Sequence, residues 1–285
     1  MNILRFLIIS YLGFNCDMET MHKNIKTKSS FYSAIMTVII LACSCVEKKD
    51  SVWTPIFNGK DMDGWSPKFT GQEYGENYLN TFQVKDGKLI ASYDDYENFN
   101  DNFGHIFYKE KLSRYKLKLE YRFLGESVPG APSWAFKNSG IKFHTPHPTE
   151  LPLDQKLLVA VEAQILGGDG HAERFTGNVC TAGTHVEMND SLITQHCTNS
   201  RYPAIDDSSW VNMEIEVNGS ERIIHKINGK VVMEYSKPQY DDTDEFAREL
   251  MSKGHPRIIS EGYIALQAEG HPVEFRNIAL MKLDK

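Results

Sequence analysis

Cysteine is scarce in this 285-residue chain, with five residues in all. Cys16, Cys43 and Cys45 precede the body, and only Cys180 and Cys197 fall inside it. That pair lacks the close C-x-x-C spacing of a zinc centre, so a thiolate metal site is set aside. Long apolar runs are missing too. The run Phe31 to Ala42 is too short to span a bilayer as a helix. Positive charge is outnumbered, 31 Lys and Arg against 38 Asp and Glu, and the net charge of −7 is spread along the chain. With no basic strip interleaved with aromatics, nucleic acid is excluded as a partner. No internal repeat appears, and no Pro/Ser-rich linker divides the body, so a solenoid and a two-domain chain are both disfavoured. Ser139-Gly140 has no nucleophile-elbow context, which disfavours Ser/His/Asp chemistry. Helix signals are almost absent. Thr243 to Met251 is the single clear candidate, with a cap at Asp242 or Thr243 and a stop near Gly254-His255-Pro256.

The N-terminal region has the order of an export signal. His22, Lys23, Lys26 and Lys28 precede the apolar run, and Ile40-Leu41-Ala42-Cys43 places a small residue before a cysteine, as in a bacterial lipoprotein cleavage site. This predicts a leader over 1–42, a lipidated Cys43, a tether over 43–51 and one domain over 52–285. The expected location is the bacterial cell envelope, periplasmic or on the outer-membrane surface, with membrane contact through the lipid alone. A plain secretory signal cut near Ala42 is the alternative, and it leaves Cys43 and Cys45 as free thiols in an oxidising compartment. In an exported domain, Cys180 and Cys197 suggest one disulfide closing the polar segment 181–196.

The body reads as strands. Asp86-Gly87 sits between Thr81–Val84 and Lys88–Ala91, and Asn228-Gly229 between Ile223–Ile227 and Lys230–Tyr235; both are type I′ hairpin turns. Arg114–Phe123, Trp210–Val217 and Gly262–Gln267 alternate with period two. Dense alternation with turns between predicts an all-β sandwich or jelly roll of antiparallel sheets with a minor peripheral helix.

Polar residues recur at alternate positions of these strands. Glu162 and Gln164 share one face opposite Val161, Ala163 and Ile165, while Lys142 and His144 oppose Ile141 and Phe143. Glu120 and Arg122, Gln267, and Glu274 with Arg276 follow the same habit. A solvated sheet face explains such a pattern, and so does a polar groove. Arg122 with Glu120 could equally be cross-strand ion pairs, with Arg276 bracing the last strand. Of Trp53, Trp65, Trp134 and Trp210, most read as core or edge packing. Trp134, in the Pro/Gly-rich loop 129–135, is the candidate to line a cleft.

The stretches Ile56–Trp65, Asn138–His144, Val161–Leu166 and Glu261–Ile278, in this order, resemble the 3-keto-disaccharide hydrolase family. The resemblance spans nearly all of 52–283. It implies a concanavalin A-like jelly roll, export, and activity on an oligosaccharide or 3-keto-glycoside. Gly177–Cys180 with Cys197 looks like a subgroup insertion.

In a glycoside oxidised at C3, the carbonyl acidifies the C2 hydrogen. A base can then remove it, the C1 substituent leaves, and water adds to complete net hydrolysis. Glu162 or His144 could be the base, Arg122 or Lys142 could stabilise the enolate, and Gln164, Gln267, Asn138, Glu120, Arg276 and Trp134 could hold the sugar. No cofactor motif is present; a divalent metal on Glu162 and His144 is the open possibility. A retaining glycosidase of this fold would place two carboxylates on the strand that here reads Glu162-Ala163-Gln164. One carboxylate there favours proton abstraction, unless Glu120 or Glu269 supplies the second from a neighbouring strand. A non-catalytic carbohydrate-binding lipoprotein is the remaining alternative. The sequence sets no oligomeric state.

Overall fold

Alternation is realised over the body as two antiparallel sheets. The computed structural model describes residues 52–171 and 173–284. The leader, the Cys43 lipidation site and the tether up to Ser51 lie outside the described residues. The strands are β1 (Thr54–Pro55), β2 (Trp65–Phe69), β3 (Phe82–Lys85), β4 (Lys88–Ala91), β5 (Gly104–Tyr108), β6 (Arg114–Phe123), β7 (Asn138–Thr145), β8 (Ala160–Leu166) and β9 (Asn178–Ala182). They continue with β10 (Thr184–Met188), β11 (Ser191–Ile193), β12 (Cys197–Thr198), β13 (Val211–Asn218), β14 (Arg222–Ile227), β15 (Lys230–Tyr240), β16 (Tyr263–Ala268) and β17 (Val273–Lys282). A ten-stranded sheet runs β11-β10-β15-β14-β13-β6-β17-β4-β3, with β1 also on β17, and a seven-stranded sheet runs β12-β9-β8-β7-β16-β5-β2. This is a concanavalin A-like jelly-roll sandwich.

The inward half of each alternating strand makes the core. Tyr115, Leu117, Leu119, Tyr121 and Phe123 of β6, with Val211, Met213, Ile215 and Val217 of β13, pack against Ile141, Phe143, Val161, Ala163, Ile165 and Leu266 of the other sheet. Each such side chain contributes roughly 1.5–3 kcal/mol by leaving water. Both expected I′ hairpins form, with Asp86 and Gly87 at φ 51° and 74° and Asn228 and Gly229 at φ 48° and 77°. The short helix α1 spans Glu245–Ser252, and its cap is Asp244, not Asp242 or Thr243: the Asp244 carboxylate accepts from Ala247 N at 2.8 Å.

Three expected site residues stand apart from Glu162. Arg122, Glu120 and Arg276 point away from the core on the outer face of the ten-stranded sheet. Arg122 Nε donates to Glu274 at 2.7 Å, Arg276 Nε donates to Glu120 at 2.6 Å, and both guanidinium groups lie over the Trp210 ring. The registers Arg122↔Glu274 and Arg276↔Glu120 make these cross-strand ion pairs, as the alternative reading had it, with Arg122 and Glu120 each paired to β17 and not to each other. The full thickness of the sandwich separates them from Glu162.

Candidate functional site

Seen from β7 and β8, the site is built on the outer face of the seven-stranded sheet. Lys142 lies opposite Glu162 in register, and Lys142 Nζ meets Glu162 Oε2 at 2.5 Å with both side chains almost wholly buried. Gly140 explains how the carboxylate fits: a Cβ there would stand 2.4 Å from Glu162 Oε1, so the absent side chain makes the berth. Gln164 Oε1 accepts from Asn178 at 2.8 Å, which leaves its NH₂ free to donate. On β16, Gln267 Nε2 donates to Glu269 Oε1, and Ser139 Oγ donates to the Gln267 carbonyl at 2.7 Å. Asn138 completes the floor.

These side chains line a cleft of about 380 Å³ together with Trp134, Leu157, His196 and the Cys180–Cys197 disulfide. The disulfide forms as expected and joins β9 to β12, with Cys180 directly opposite Glu162. Trp134 is half exposed at the lip, stacked parallel on Phe103 with ring centroids 5.8 Å apart. By contrast, Trp65 is core, donating its indole N–H to the Ile56 carbonyl.

The floor is under-satisfied. Asn138 Oδ1, Gln267 Oε1 and Glu269 Oε2 are buried and have no partner. Native proteins rarely bury such groups without a use for them, because each costs on the order of 1–3 kcal/mol. Burial pushes the Glu269 carboxyl up to about 8, the neighbouring Glu162 charge adds to the rise, and Lys142 opposes it. At neutral pH Glu269 therefore keeps its proton. Its Oε1 already accepts from Gln267, so Oε2 is the free hydroxyl and a donor. Burial first, then the charges of Lys142 and Lys68, hold the nearby His105 well below the usual imidazole range.

The expectation for His144 is corrected. Tyr263 pairs Thr145 and Ala265 pairs Lys142, so β7 spends one extra residue, and His144 takes φ 55° in this bulge. The face alternation breaks there. His144 Nε2 lies 3.1 Å from the Gly219 carbonyl, in the β13–β14 turn of the opposite sheet, and burial lowers its basicity to about 4. Glu162 and His144 thus do not converge and do not fit a shared metal. Among the described residues no three His, Cys, Asp or Glu side chains gather as a metal site.

The structure therefore brings together Glu162, Gln164, Lys142, Asn138, Gln267 and Trp134 from the expected set. It leaves out His144, Arg122, Glu120 and Arg276. Glu269 enters as the second carboxyl, two residues beyond Gln267 and so on the same strand face, a signal the period-two rule carries. Gly140 and His196 carry no such sequence signal.

The fold and cleft define a jelly-roll protein with two buried carboxyl groups on the outer face of one sheet. The model of the 3-keto-α-glucoside-1,2-lyase-like domain matches residues 52–281, and the chain belongs to that family. No curated protein matches the sequence. Among solved structures, a Parabacteroides distasonis protein provisionally named a glycosyl hydrolase is 18% identical over 81% of this chain and 94% of its own, with a TM-score of 0.47. A carbohydrate-binding module from Bacillus subtilis is 12% identical over 78% and 98%, with a TM-score of 0.45. Bacillus licheniformis β-glucanase is 10% identical over 82% and 98%, with a TM-score of 0.42. None of these likenesses bears on activity.

Proposed function

We propose that this cleft cleaves 3-keto-glycosides by elimination, followed by hydration of the unsaturated sugar. The observation that carries the reading is the pairing, on one buried floor, of the Lys142–Glu162 ion pair with a neutral Glu269 whose Oε2 hydroxyl has no partner. Two carboxyl groups pushed to different protonation states divide acid from base. Glu162 removes the C2 proton. The electrons pass to O3, where the Lys142 ammonium and the Glu269 hydroxyl receive the enolate charge. As they return, the C1–O bond breaks and the alcohol leaves. Water then adds its oxygen at C1 while C2 regains a proton. Gln164 and Asn138, on the cleft lining, hold sugar hydroxyls in this reading, and Trp134 stacks on an apolar ring face. The leader sequence and Cys43 support work at the cell envelope as a lipid-anchored protein.

Glu269 also supports a second reading. It supplies the second carboxyl that a conventional glycosidase needs, and the strand of Glu162 lacks one. Incubation of 3-keto and unoxidised glucosides in D₂O separates the readings. Elimination and hydration place deuterium at C2 of the released keto-sugar, above an enzyme-free blank, and leave the unoxidised glucoside intact. Cleavage of the unoxidised glucoside, without C2 label, would establish displacement instead. Binding without turnover of either would establish a carbohydrate-binding protein.

A further inference from the structure

The elimination needs three services, and the floor of the cleft provides two of them. Glu162 is a base for C2, and Lys142 with Glu269 are donors for O3. Nothing on the floor is left to give the departing C1 oxygen a proton. Glu269 is a poor source, because its burial beside Glu162 makes the ionised form costly and its hydroxyl is better kept as a donor. The remaining proton-transfer group on the cleft wall is His196.

His196 is built for this. Its Nδ1 lies 2.6 Å from the Thr181 carbonyl, and a carbonyl oxygen can only accept, so Nδ1 carries hydrogen. The tautomer of the neutral ring is thereby fixed, and Nε2 is the ring nitrogen without this bond on a residue that lines the cleft. The backbone is pinned as well. Thr181 N donates to the His196 carbonyl at 2.7 Å, and the next residue, Cys197, is bonded to Cys180, which stands opposite Glu162. The residue is solvent-exposed.

We propose that His196 is the acid–base group at C1, giving the leaving oxygen its proton and then taking one from the water that adds. In the first step the Nε2–H bond of the imidazolium breaks as the C1–O bond does, and the alcohol departs neutral. In the second, the freed Nε2 lone pair accepts a proton from water as its oxygen bonds to C1. One full cycle returns the imidazolium, and no oxidant or metal is consumed. This assignment rests on the elimination reading above.

The leaving group is the test. Methyl 3-keto-glucoside expels a poor leaving group that needs a proton, whereas 4-nitrophenyl 3-keto-glucoside expels a good one that does not. For His196→Gln and His196→Ala, the single-turnover rate of methanol release from the methyl substrate falls roughly 100-fold or more, within the usual span of general acid catalysis. On the nitrophenyl substrate the single-turnover rate of nitrophenol release, which precedes the hydration step, stays within about threefold of the parent, since that step draws no acid assistance. Equal losses on both substrates, or none on either, would overturn the role of His196 while leaving the elimination reading intact. Failure of the unsubstituted protein to cleave either substrate would overturn both. His196 is exposed, so neither variant disturbs the core, and near-UV circular dichroism checks that they are folded.

Discussion

Glu269→Gln is the most informative single substitution, because its effect on stability has a sign and a pH window that the structure fixes. The carboxyl moves from an ordinary 4.5 to about 8 in the folded protein. Below 4.5 the group is protonated whether the chain is folded or not, and it has no effect. Between 4.5 and 8 the unfolded chain gives up the proton while the folded protein keeps it, so stability falls as pH rises. Above about 8 both states are ionised and the loss is complete. At about 1.4 kcal/mol for each pH unit, the loss is roughly 3–4 kcal/mol at pH 7 and levels off at about 5 kcal/mol above pH 8. Gln keeps the shape, accepts from Gln267 Nε2 as before and never ionises, so the variant escapes this penalty. Urea unfolding of both proteins at pH 5, 6, 7, 8 and 9, with the disulfide intact, should show the stability of the variant gaining on the parent across that window. A gap that stays constant from pH 5 to pH 9 would refute a neutral Glu269, and with it the division of labour between the two carboxyls. The same variant retains an N–H donor for O3. The parent's kcat should decline on the alkaline side near pH 8 as Glu269 ionises, and the variant should lack that decline.

The remaining expectations concern placement. Gly140→Ala drives a methyl into the Glu162 carboxylate, which would lie 2.4 Å from it, and should lower kcat on a 3-keto-glucoside at least tenfold in a protein that still unfolds cooperatively. Trp134→Ala removes the stacking surface at the lip and should raise KM about fivefold, roughly 1 kcal/mol of aromatic contact, with kcat little changed. Arg122→Ala and Arg276→Ala lie on the far face of the sandwich; kinetics should match the parent, and denaturant titration should show a loss of about 1 kcal/mol or less. Reduction of Cys180–Cys197, whose sequence separation is 17, should cost about 3 kcal/mol in thermal or urea unfolding.

The architecture was legible because strands obey a local rule. Successive side chains alternate by covalent geometry, so Arg114–Phe123 declares both its faces in one line, and Asn-Gly and Asp-Gly declare their turns through positive φ. The same rule placed Glu162, Gln164, Lys142 and Gln267 on polar faces, and it extends to Glu269. It could not say which polar faces belong together. Arg122 and Glu162 look alike in sequence, yet they stand on opposite outer surfaces, because strand order in a sheet is settled by long-range pairing.

The family, the sandwich, the disulfide and half of the cleft floor were thus determined by the sequence itself, through periodicity, turn chemistry and two body cysteines. Tertiary structure decided the rest. A single extra residue in β7 turned His144 from the expected groove to the opposite sheet, since a bulge exchanges faces without changing composition. Placement of β16 on the far side of β7 from β8 gave Glu162 a second carboxyl and, by burying it, kept that carboxyl neutral. Proton affinity depends on what surrounds a group in space, and closure of the segment 181–196 set His196 on the cleft wall for the same reason.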